Sequence, residues 1–170
     1  MTERERCLEI YHEAFGKAED FDKLLFDCYF ENTERLSIDD KIVSMLFKIP
    51  CKLKIGECEK SAFYIYAVAT DSRYRGKGLM SALIKKACNE NDAVYFLKPV
   101  NDSLIAFYEK VGFRCVDAVR SGVADAYAQT QPNHQKLSSM CDHPKEEYTL
   151  MVLGALPEDV KTIQFKDTLE

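Results

Sequence analysis

The sequence predicts an α/β fold, a mixed β-sheet flanked by helices, and three features of the 170-residue chain indicate it. Residues 8–29 carry apolar side chains at the spacing of amphipathic helices. Residues 35–49 have the pattern of a β-hairpin. Residues 62–100 place two apolar strands on either side of a helix, the pattern of a βαβ unit with parallel strands and a right-handed crossover.

Local patterns justify the elements of the N-terminal part. Leu8, Tyr11 and Phe15 mark the apolar face of a first helix, and residues 21–29 repeat the i, i+3, i+4, i+7 pattern for a second. Two strands, 35–38 and 41–49, follow. The Asp39-Asp40 pair between them suits a two-residue turn, because aspartate tolerates left-handed backbone angles.

The central and C-terminal elements follow in the same way. The strand at 62–70 is nearly all apolar, as in a strand buried on both faces, and a second apolar strand spans 93–100. Asn101 or Asp102 can cap a short helix that Gly112 ends, and strands are predicted at 113–119 and 148–153.

The predicted domain organisation is simple. We expect a single domain over residues 1–156, completed by its last strand and followed by a C-terminal tail at 157–170. Residues 121–147 are polar and weakly patterned, which predicts an irregular loop excursion.

Composition excludes several classes of protein. The net charge of −5 argues against nucleic acid as the main ligand and suits a cationic substrate such as an amine. The chain has no apolar run of the ~20 residues that a membrane helix needs, and residues 1–9 do not resemble a signal peptide. We therefore expect a cytoplasmic protein that does not associate with membranes.

The seven cysteines predict no special chemistry. Their number is odd and no C-x-x-C motif occurs, so we expect reduced, structural cysteines. His134, Cys141 and His143 match no standard zinc spacing, and we expect no metal.

The segment from Val68 to Leu79 carries the clearest chemical signal. A buried strand runs into Arg73-x-x-Gly76-x-Gly78 and directly into an amphipathic helix. The first N–H groups of a helix lack internal partners, and the helix dipole adds positive potential there. Glycines allow a phosphate to approach the backbone, and the basic residues at 73, 75 and 77 add charge. This pattern predicts a cradle for a pyrophosphate-bearing ligand.

Together with a downstream motif, this turn resembles the GCN5-related N-acetyltransferases, the GNAT superfamily. The downstream motif is Asn101-x-x-x-x-x-Phe107-Tyr108-Glu109-x-x-Gly112-Phe113, and order and spacing agree from about residue 63 to 113. The resemblance implies the GNAT fold, whose central sheet is mostly antiparallel with one splayed parallel strand pair. The first strand usual in that fold is not visible before Arg6.

The resemblance also implies an activity and the residues that perform it. Acetyl-CoA would be the co-substrate, and a primary amine would attack its thioester directly in a ternary complex. A main-chain N–H near Val68 would polarise the thioester carbonyl, and Tyr108 would act as general acid to the CoA thiolate. The implied cofactor-binding residues are Val68, Ala69, Thr70, Arg73, Arg75, Gly76, Lys77, Gly78, Leu79, Asn101 and Tyr108.

Some assignments remain open at this stage. Glu57 or Glu59 is a candidate general base, with Tyr64, Tyr66 and Asp71 as further candidates. A non-catalytic acyl-CoA-binding sensor or regulatory module is the alternative function, because it would need the cradle but no base. A homodimer is expected from the general frequency of two-fold dimers.

Overall fold

The computed structural model describes residues 1–119, 123–141 and 148–169. Its helices are α1 Glu3–Phe15, α2 Glu19–Tyr29, α3 Leu79–Ala87, α4 Asp102–Lys110 and α5 Pro132–Ser138. Its strands are β1 Thr33–Ile38, β2 Lys41–Ile55, β3 Cys58–Thr70, β4 Val94–Leu97, β5 Arg114–Ala118, β6 Ala126–Thr130, β7 Leu150–Gly154 and β8 Thr162–Phe165. Within these ranges, no helix has the length and apolarity needed to cross a bilayer.

The chain divides into two compact units. The first comprises Met1–Ile49 and Ile65–Asn89, and the second comprises Pro50–Tyr64 and Glu90–Glu170. The long strands β2 and β3 each contribute residues to both. The α/β fold and the mixed sheet predicted from the sequence are confirmed, whereas the expected single domain over 1–156 stays a prediction.

The first unit combines α1, α2 and α3 with the β1–β2 hairpin. The predicted turn is present, and Asp39 and Asp40 have φ of 49° and 58°, the left-handed angles that such a turn requires. The rings of Tyr11 and Phe26 pack edge-on against each other and against Phe47, which lies on β2. Burial of these aromatic faces holds the two helices to the strands.

The second unit contains the predicted parallel pair. Ala62–Tyr64 of β3 pair in parallel with Val94–Phe96 of β4, as the βαβ pattern predicts. The sheet continues from β4 through β7, β5 and β8 to β6, and β6 pairs with Cys51–Ile55 of β2. Because β2 is also the sheet neighbour of β3, the strands of this unit close on themselves.

The expectation of an irregular loop at 121–147 is wrong where the structure describes that segment. Strand β6 and helix α5 lie within it, while residues 121–122 and 142–147 lie outside the described residues. In β6 the buried side chains are small or polar, namely Ala126, Ala128 and Thr130, so the alternation carries little hydrophobic contrast. Helix α5 buries His134 and Ser138, so its sequence has the composition of a polar segment rather than that of an amphipathic helix.

The expectation of a C-terminal tail at 157–170 is also corrected. Strand β8 lies within it and pairs in parallel with both β5 and β6. Ile163 and Phe165 are buried, with exposures of 0% and 2%. A strand of only four residues has too short a pattern to be recognised without its sheet neighbours.

Candidate functional site

The turn between β3 and α3 has the backbone geometry of an anion cradle. Gly76 and Gly78 have φ of 75° and 73°, a region that L-residues rarely adopt, and Gly78 is the N-cap of α3. A Cβ added at either glycine would meet no heavy atom within 4 Å. The glycines are therefore required by the backbone conformation, and the space above them is open to a ligand.

The first turn of α3 contains backbone N–H groups that precede its first intrahelical hydrogen bond. The first intrahelical bond joins the N–H of Ala82 to the carbonyl of Gly78 at 3.1 Å. The N–H groups of Leu79, Met80 and Ser81 precede that bond, and such groups together with the helix dipole favour an anion. The backbone geometry that such a cradle requires is thus present in the first unit, and ligand binding there stays a prediction.

A buried carboxylate stabilises the first residues of this turn through hydrogen bonds. Asp71, 1% exposed, accepts hydrogen bonds from Nη2 of Arg73 at 2.6 Å and from its Nε and backbone N at 3.0 Å. It also pairs with the guanidinium of Arg6 from α1, whose Nε donates to the carbonyl of Ile42 at 2.9 Å. The bonds from Arg73, with those from Arg6, hold the pKa of Asp71 well below its usual range despite burial.

Sequence reasoning missed the role of Arg6. Its signal was its position, since it lies on the buried face of α1 beside Cys7, Ile10 and Tyr11. A charged side chain on such a face needs a partner, and Asp71 supplies it. The same pairing makes Asp71 unsuitable as the general base, because its carboxylate is fully engaged by two arginines.

Arg75 and Lys77, the other basic residues of the turn, make contacts that differ from those of Arg73. Nε of Arg75 donates to the carbonyl of Thr70 at 3.0 Å, and its Nη2 lies 3.7 Å from Oε1 of Glu13. That oxygen also accepts the backbone N–H of Ser72 at 3.0 Å, and hydrogen bonding from the Ser72 side chain first and its backbone second lowers the pKa of Glu13. Lys77 places its Nζ 5.2 Å from the ring centroid of Tyr74. Helix α1 therefore helps to fix the turn through a residue that the sequence analysis did not select.

The last residues of β3 contain a second backbone feature. Ala67 has φ of 50°, which is uncommon for a residue with a Cβ, although it lies within a strand and is 7% exposed. Oγ of Ser44 lies 2.8 Å from the carbonyl oxygen of Ala69 and from Oγ1 of Thr70. Left-handed residues of this kind concentrate at functional sites. The sequence does not predict the left-handed angle of Ala67, because glycine is the residue that usually indicates such an angle and none stands there.

Asn101 and Tyr108 lie in the second unit, Asn101 as the N-cap of α4 and Tyr108 within that helix. Oδ1 of Asn101 accepts the N–H of Leu104 at 3.0 Å, so the predicted helix cap is confirmed. Tyr108 is 5% exposed, and its ring meets those of Phe107 and Phe113 at centroid distances of 5.3 and 5.7 Å. The residues selected from sequence therefore divide between the units, with Val68–Leu79 together in the first.

The acidic candidates for the general base are exposed. Glu57 lies in the turn between β2 and β3, and the carboxylate of Glu59 pairs with Nζ of Lys52 at 2.6 Å. Tyr64 and Tyr66, the aromatic candidates, are buried at 1% and 8% exposure.

His134 and Cys141, whose spacing the sequence analysis compared with zinc motifs, each contact a main-chain carbonyl. Nε2 of His134 contacts the carbonyl of Asp167 at 2.5 Å, and Sγ of Cys141 lies 3.7 Å from the carbonyl of Leu137. His143 lies outside the described residues. Over the ranges that are described, no group of three or more metal-binding side chains is found.

Comparison with known protein families gives a match over most of this chain. Residues 1–116 match the model of the acetyltransferase (GNAT) domain. The chain belongs to the GNAT family. A search of curated proteins gives no significant match.

Solved GNAT structures share the fold. The GNAT family N-acetyltransferase YhbS from Escherichia coli, in complex with CoA, aligns with a TM-score of 0.60 and 14% identity over 94% of this chain and 82% of its own. Diaminobutyrate acetyltransferase EctA from Paenibacillus lautus, in complex with L-2,4-diaminobutyric acid and coenzyme A, aligns with a TM-score of 0.51 and 15% identity over 92% of each chain.

Other GNAT relatives are longer than this chain. A GCN5-related N-acetyltransferase from Anabaena variabilis aligns with a TM-score of 0.56 and 21% identity over 69% of this chain. The alignment spans only 31% of that relative's length. Similar shares, 30% and 31%, apply to proteins from Enterococcus faecalis and Kribbella flavida.

Proposed function

We propose that this GNAT protein transfers an acetyl group from acetyl-CoA to a primary amine by direct attack within a ternary complex. The observation that carries the proposal is the β3–α3 turn, in which two left-handed glycines with open surroundings lead into the first N–H groups of α3. Two structures with the same fold were solved with CoA, which supports the choice of acyl donor.

The turn is suited to the pyrophosphate of acetyl-CoA. Backbone N–H groups from Gly76 to Leu79 would donate to phosphate oxygens, and the exposed Arg75 and Lys77 would add charge. Arg73 would contribute mainly through the turn itself, because its guanidinium is bound to Asp71. The cofactor role of Arg73 is thus one of positioning in this proposal.

The end of β3 would hold the reacting thioester. In the proposed complex Val68, Ala69 and Thr70 lie along the pantetheine arm, and a backbone N–H near Val68 donates to the thioester carbonyl. A fixed N–H at this point stabilises the oxyanion that forms when the amine attacks. The left-handed Ala67 immediately before Val68 supports this assignment, since it redirects the strand at that point.

Tyr108 is the proposed general acid, and Asn101 a proposed contact of the pantetheine arm. Collapse of the tetrahedral intermediate breaks the carbon–sulfur bond, and the departing thiolate takes a proton from the phenol. The buried setting of Tyr108 among aromatic rings supports a fixed position of its ring.

The general base remains Glu57 or Glu59 in this proposal, acting directly or through water. Either would take a proton from the ammonium form of the acceptor before attack. Both carboxylates are supported by sequence position alone, and the ion pair of Glu59 with Lys52 competes with such a role. The second candidate function, a non-catalytic acyl-CoA sensor, requires no general base.

We also propose a location, an acceptor class and an oligomeric state for this protein. We place the reaction in the cytoplasm, and the acceptor is an amine rather than a nucleic acid. A homodimer also stays a prediction, to be checked by light scattering of the purified chain.

Calorimetric titration with acetyl-CoA and with CoA tests the proposal. Gly76→Trp should abolish binding, because it strains the left-handed backbone and fills the space above the turn. Gly56→Trp is the matched control. Gly56 also has positive φ, 57°, and open surroundings, but lies in the β2–β3 turn. Equal affinity in both folded variants, or no binding by wild type, would refute the cradle.

Turnover then separates the two candidate functions. Incubation with acetyl-CoA and a panel of primary amines, followed by chromatography, should detect N-acetylated product if the protein is an enzyme. Tight acetyl-CoA binding without product from any amine would favour the sensor.

A further inference from the structure

The first unit contains a groove between α1 and α2 that the proposed reaction does not use. Its volume is about 280 Å³. Its walls include Leu8 and His12 from α1, Lys17 from the connecting loop, and Asp22, Lys23 and Phe26 from α2. We refer to it as the α1–α2 groove.

The two carboxylate oxygens of Asp22 differ in their hydrogen bonding. Oδ2 accepts the backbone N–H of Ala18 at 2.8 Å and lies 2.9 Å from Nε2 of His12, so it joins the start of α2 to the end of α1. Oδ1 is buried and has no hydrogen-bond partner among the described residues. The whole residue is 3% exposed. A buried carboxylate oxygen without a donor is costly, and because Asp22 lines the groove, this oxygen is suited to a ligand bound there.

The hydrogen-bonding pattern restricts the kind of cation that Oδ1 can bind. A guanidinium pairs best with both oxygens of a carboxylate at once. In Asp22 the second oxygen is already occupied by Ala18 and His12. An ammonium group is a compact charge that needs a single acceptor, so it fits the one available oxygen.

The other side chains of the groove indicate the chemistry of the rest of the ligand. Leu8 and Phe26 supply an apolar wall for an aliphatic chain. Lys17 and Lys23 are exposed at the rim, whereas the cation of Arg4 is neutralised by Asp27 at 2.5 Å. The two lysines outnumber the exposed carboxylate of Glu19, which favours an anionic group at the outer end of the ligand.

We propose that the α1–α2 groove binds a small aliphatic ligand with a primary ammonium group at one end and a carboxylate at the other. The ammonium donates to Oδ1 of Asp22, and the carboxylate lies near Lys17 and Lys23. This inference is independent of the acetyl-transfer proposal, since it requires neither the cradle nor Tyr108.

NMR titration of the whole chain without acetyl-CoA tests the site with three probes. 6-Aminohexanoate carries both charges, butylamine only the ammonium, and hexanoate only the carboxylate. We expect 6-aminohexanoate to bind tightest, butylamine more weakly and hexanoate not measurably. The backbone amide of Ala18 and the ring of His12 should report binding, because both contact Asp22. Equal binding of hexanoate, or no shift at Ala18 with any probe at millimolar concentration, would overturn the proposal.

Two variants locate the binding at Asp22. Asp22→Asn keeps an oxygen that can accept from Ala18 but removes the charge, and should weaken 6-aminohexanoate binding by at least about tenfold. Asp20→Asn is the matched control, because it makes the same charge change at an exposed position in the same helical turn. Leu8→Phe fills the groove while leaving Asp22 intact and should also abolish binding. If Asp22→Asn does not fold, Leu8→Phe still tests whether the ligand binds in the groove. Unchanged affinity in Leu8→Phe would refute the site.

Adding acetyl-CoA distinguishes two sources of the same ligand chemistry. If bound 6-aminohexanoate becomes N-acetylated, and Leu8→Phe prevents this, the groove holds the acetyl acceptor. If it binds without being acetylated, the groove holds a separate ligand. Both results support the site, and a failure of acetyl-CoA binding would leave the groove titration unaffected.

Discussion

The guanidinium of Arg73 is hydrogen-bonded back onto the carboxylate of Asp71, two residues earlier in the chain, through both Nε and Nη2. The motif residue that sequence reasoning assigned to the phosphates is therefore engaged within the turn. Because Asp71 also binds Arg6 of α1, a single buried carboxylate connects helix α1 to the cradle.

The pairing predicts a large effect of Asp71→Asn on stability. Loss of the negative charge removes the buried counter-ion of the Arg6 guanidinium, which is 8% exposed, and leaves it paired with the largely exposed carboxylate of Glu9. Breaking a buried ion pair in this way costs about 3–5 kcal/mol, and urea denaturation followed by circular dichroism would measure it. The control is Asp27→Asn, which removes an exposed partner of Arg4 and should cost less than about 1 kcal/mol. Equal losses in the two variants would contradict the role of Asp71.

The same carboxylate predicts a specific pH dependence. The pKa of Asp71 is lowered in the folded state, by hydrogen bonds from Arg73 first and Arg6 second. The unfolded chain therefore takes up this proton at a higher pH, near pH 4, and the stabilisation is complete above that value. The difference in unfolding free energy between wild type and Asp71→Asn should be constant from pH 5 to 8 and should shrink below about pH 4. A difference that grows on acidification would contradict the assignment.

Tyr108→Phe tests the proposed general acid. The variant keeps the ring packing against Phe107 and Phe113 but removes the hydroxyl. We expect kcat to fall by about 10²–10⁴-fold with acetyl-CoA affinity unchanged, since general acid catalysis acts in the transition state. Tyr127→Phe is the control, because that tyrosine is 45% exposed on β6. Wild-type turnover in Tyr108→Phe would remove this residue from the mechanism.

The cysteines should differ strongly in their reactivity. Burial raises the pKa of Cys7 to about 11 and those of Cys51 and Cys88 to about 12, so their thiolate fractions at neutral pH are very small. Cys58 is exposed. Iodoacetamide should modify Cys58 at least roughly 100-fold faster than these three thiols, as peptide mapping by mass spectrometry can measure. In urea the difference should disappear; comparable rates in the native protein would contradict the burial.

Much of the fold could be predicted because strong local patterns carry it. The helical spacing of α1 and α2, the Asp39-Asp40 turn, and the βαβ pattern all survive in the structure. The elements that were missed, β6, α5 and β8, bury small or polar side chains or are very short. The hydrogen-bonding partners of the two strands, β6 and β8, lie on distant parts of the chain, so no local window contains their stabilising interactions.

The candidate site follows the same division. Gly76 and Gly78 could be identified from sequence, because a strand–turn–helix with glycines at that spacing needs left-handed angles whatever surrounds it. The partners of the charged residues could not be identified. Arg6 and Asp71 are separated by 65 residues, and Glu13 reaches Ser72 across 59.

By itself, the sequence determined the order and type of the main elements and the position of the glycine turn proposed as the anion cradle, since these depend on residues close together in the chain. Only the tertiary structure decided that Arg73 binds Asp71, that Ala67 takes a left-handed angle within β3, and that the last strands close the second unit. The same holds for the single unpaired oxygen of Asp22 in the α1–α2 groove. Each of these depends on long-range packing and on the cost of burying polar groups, which local spacing does not encode.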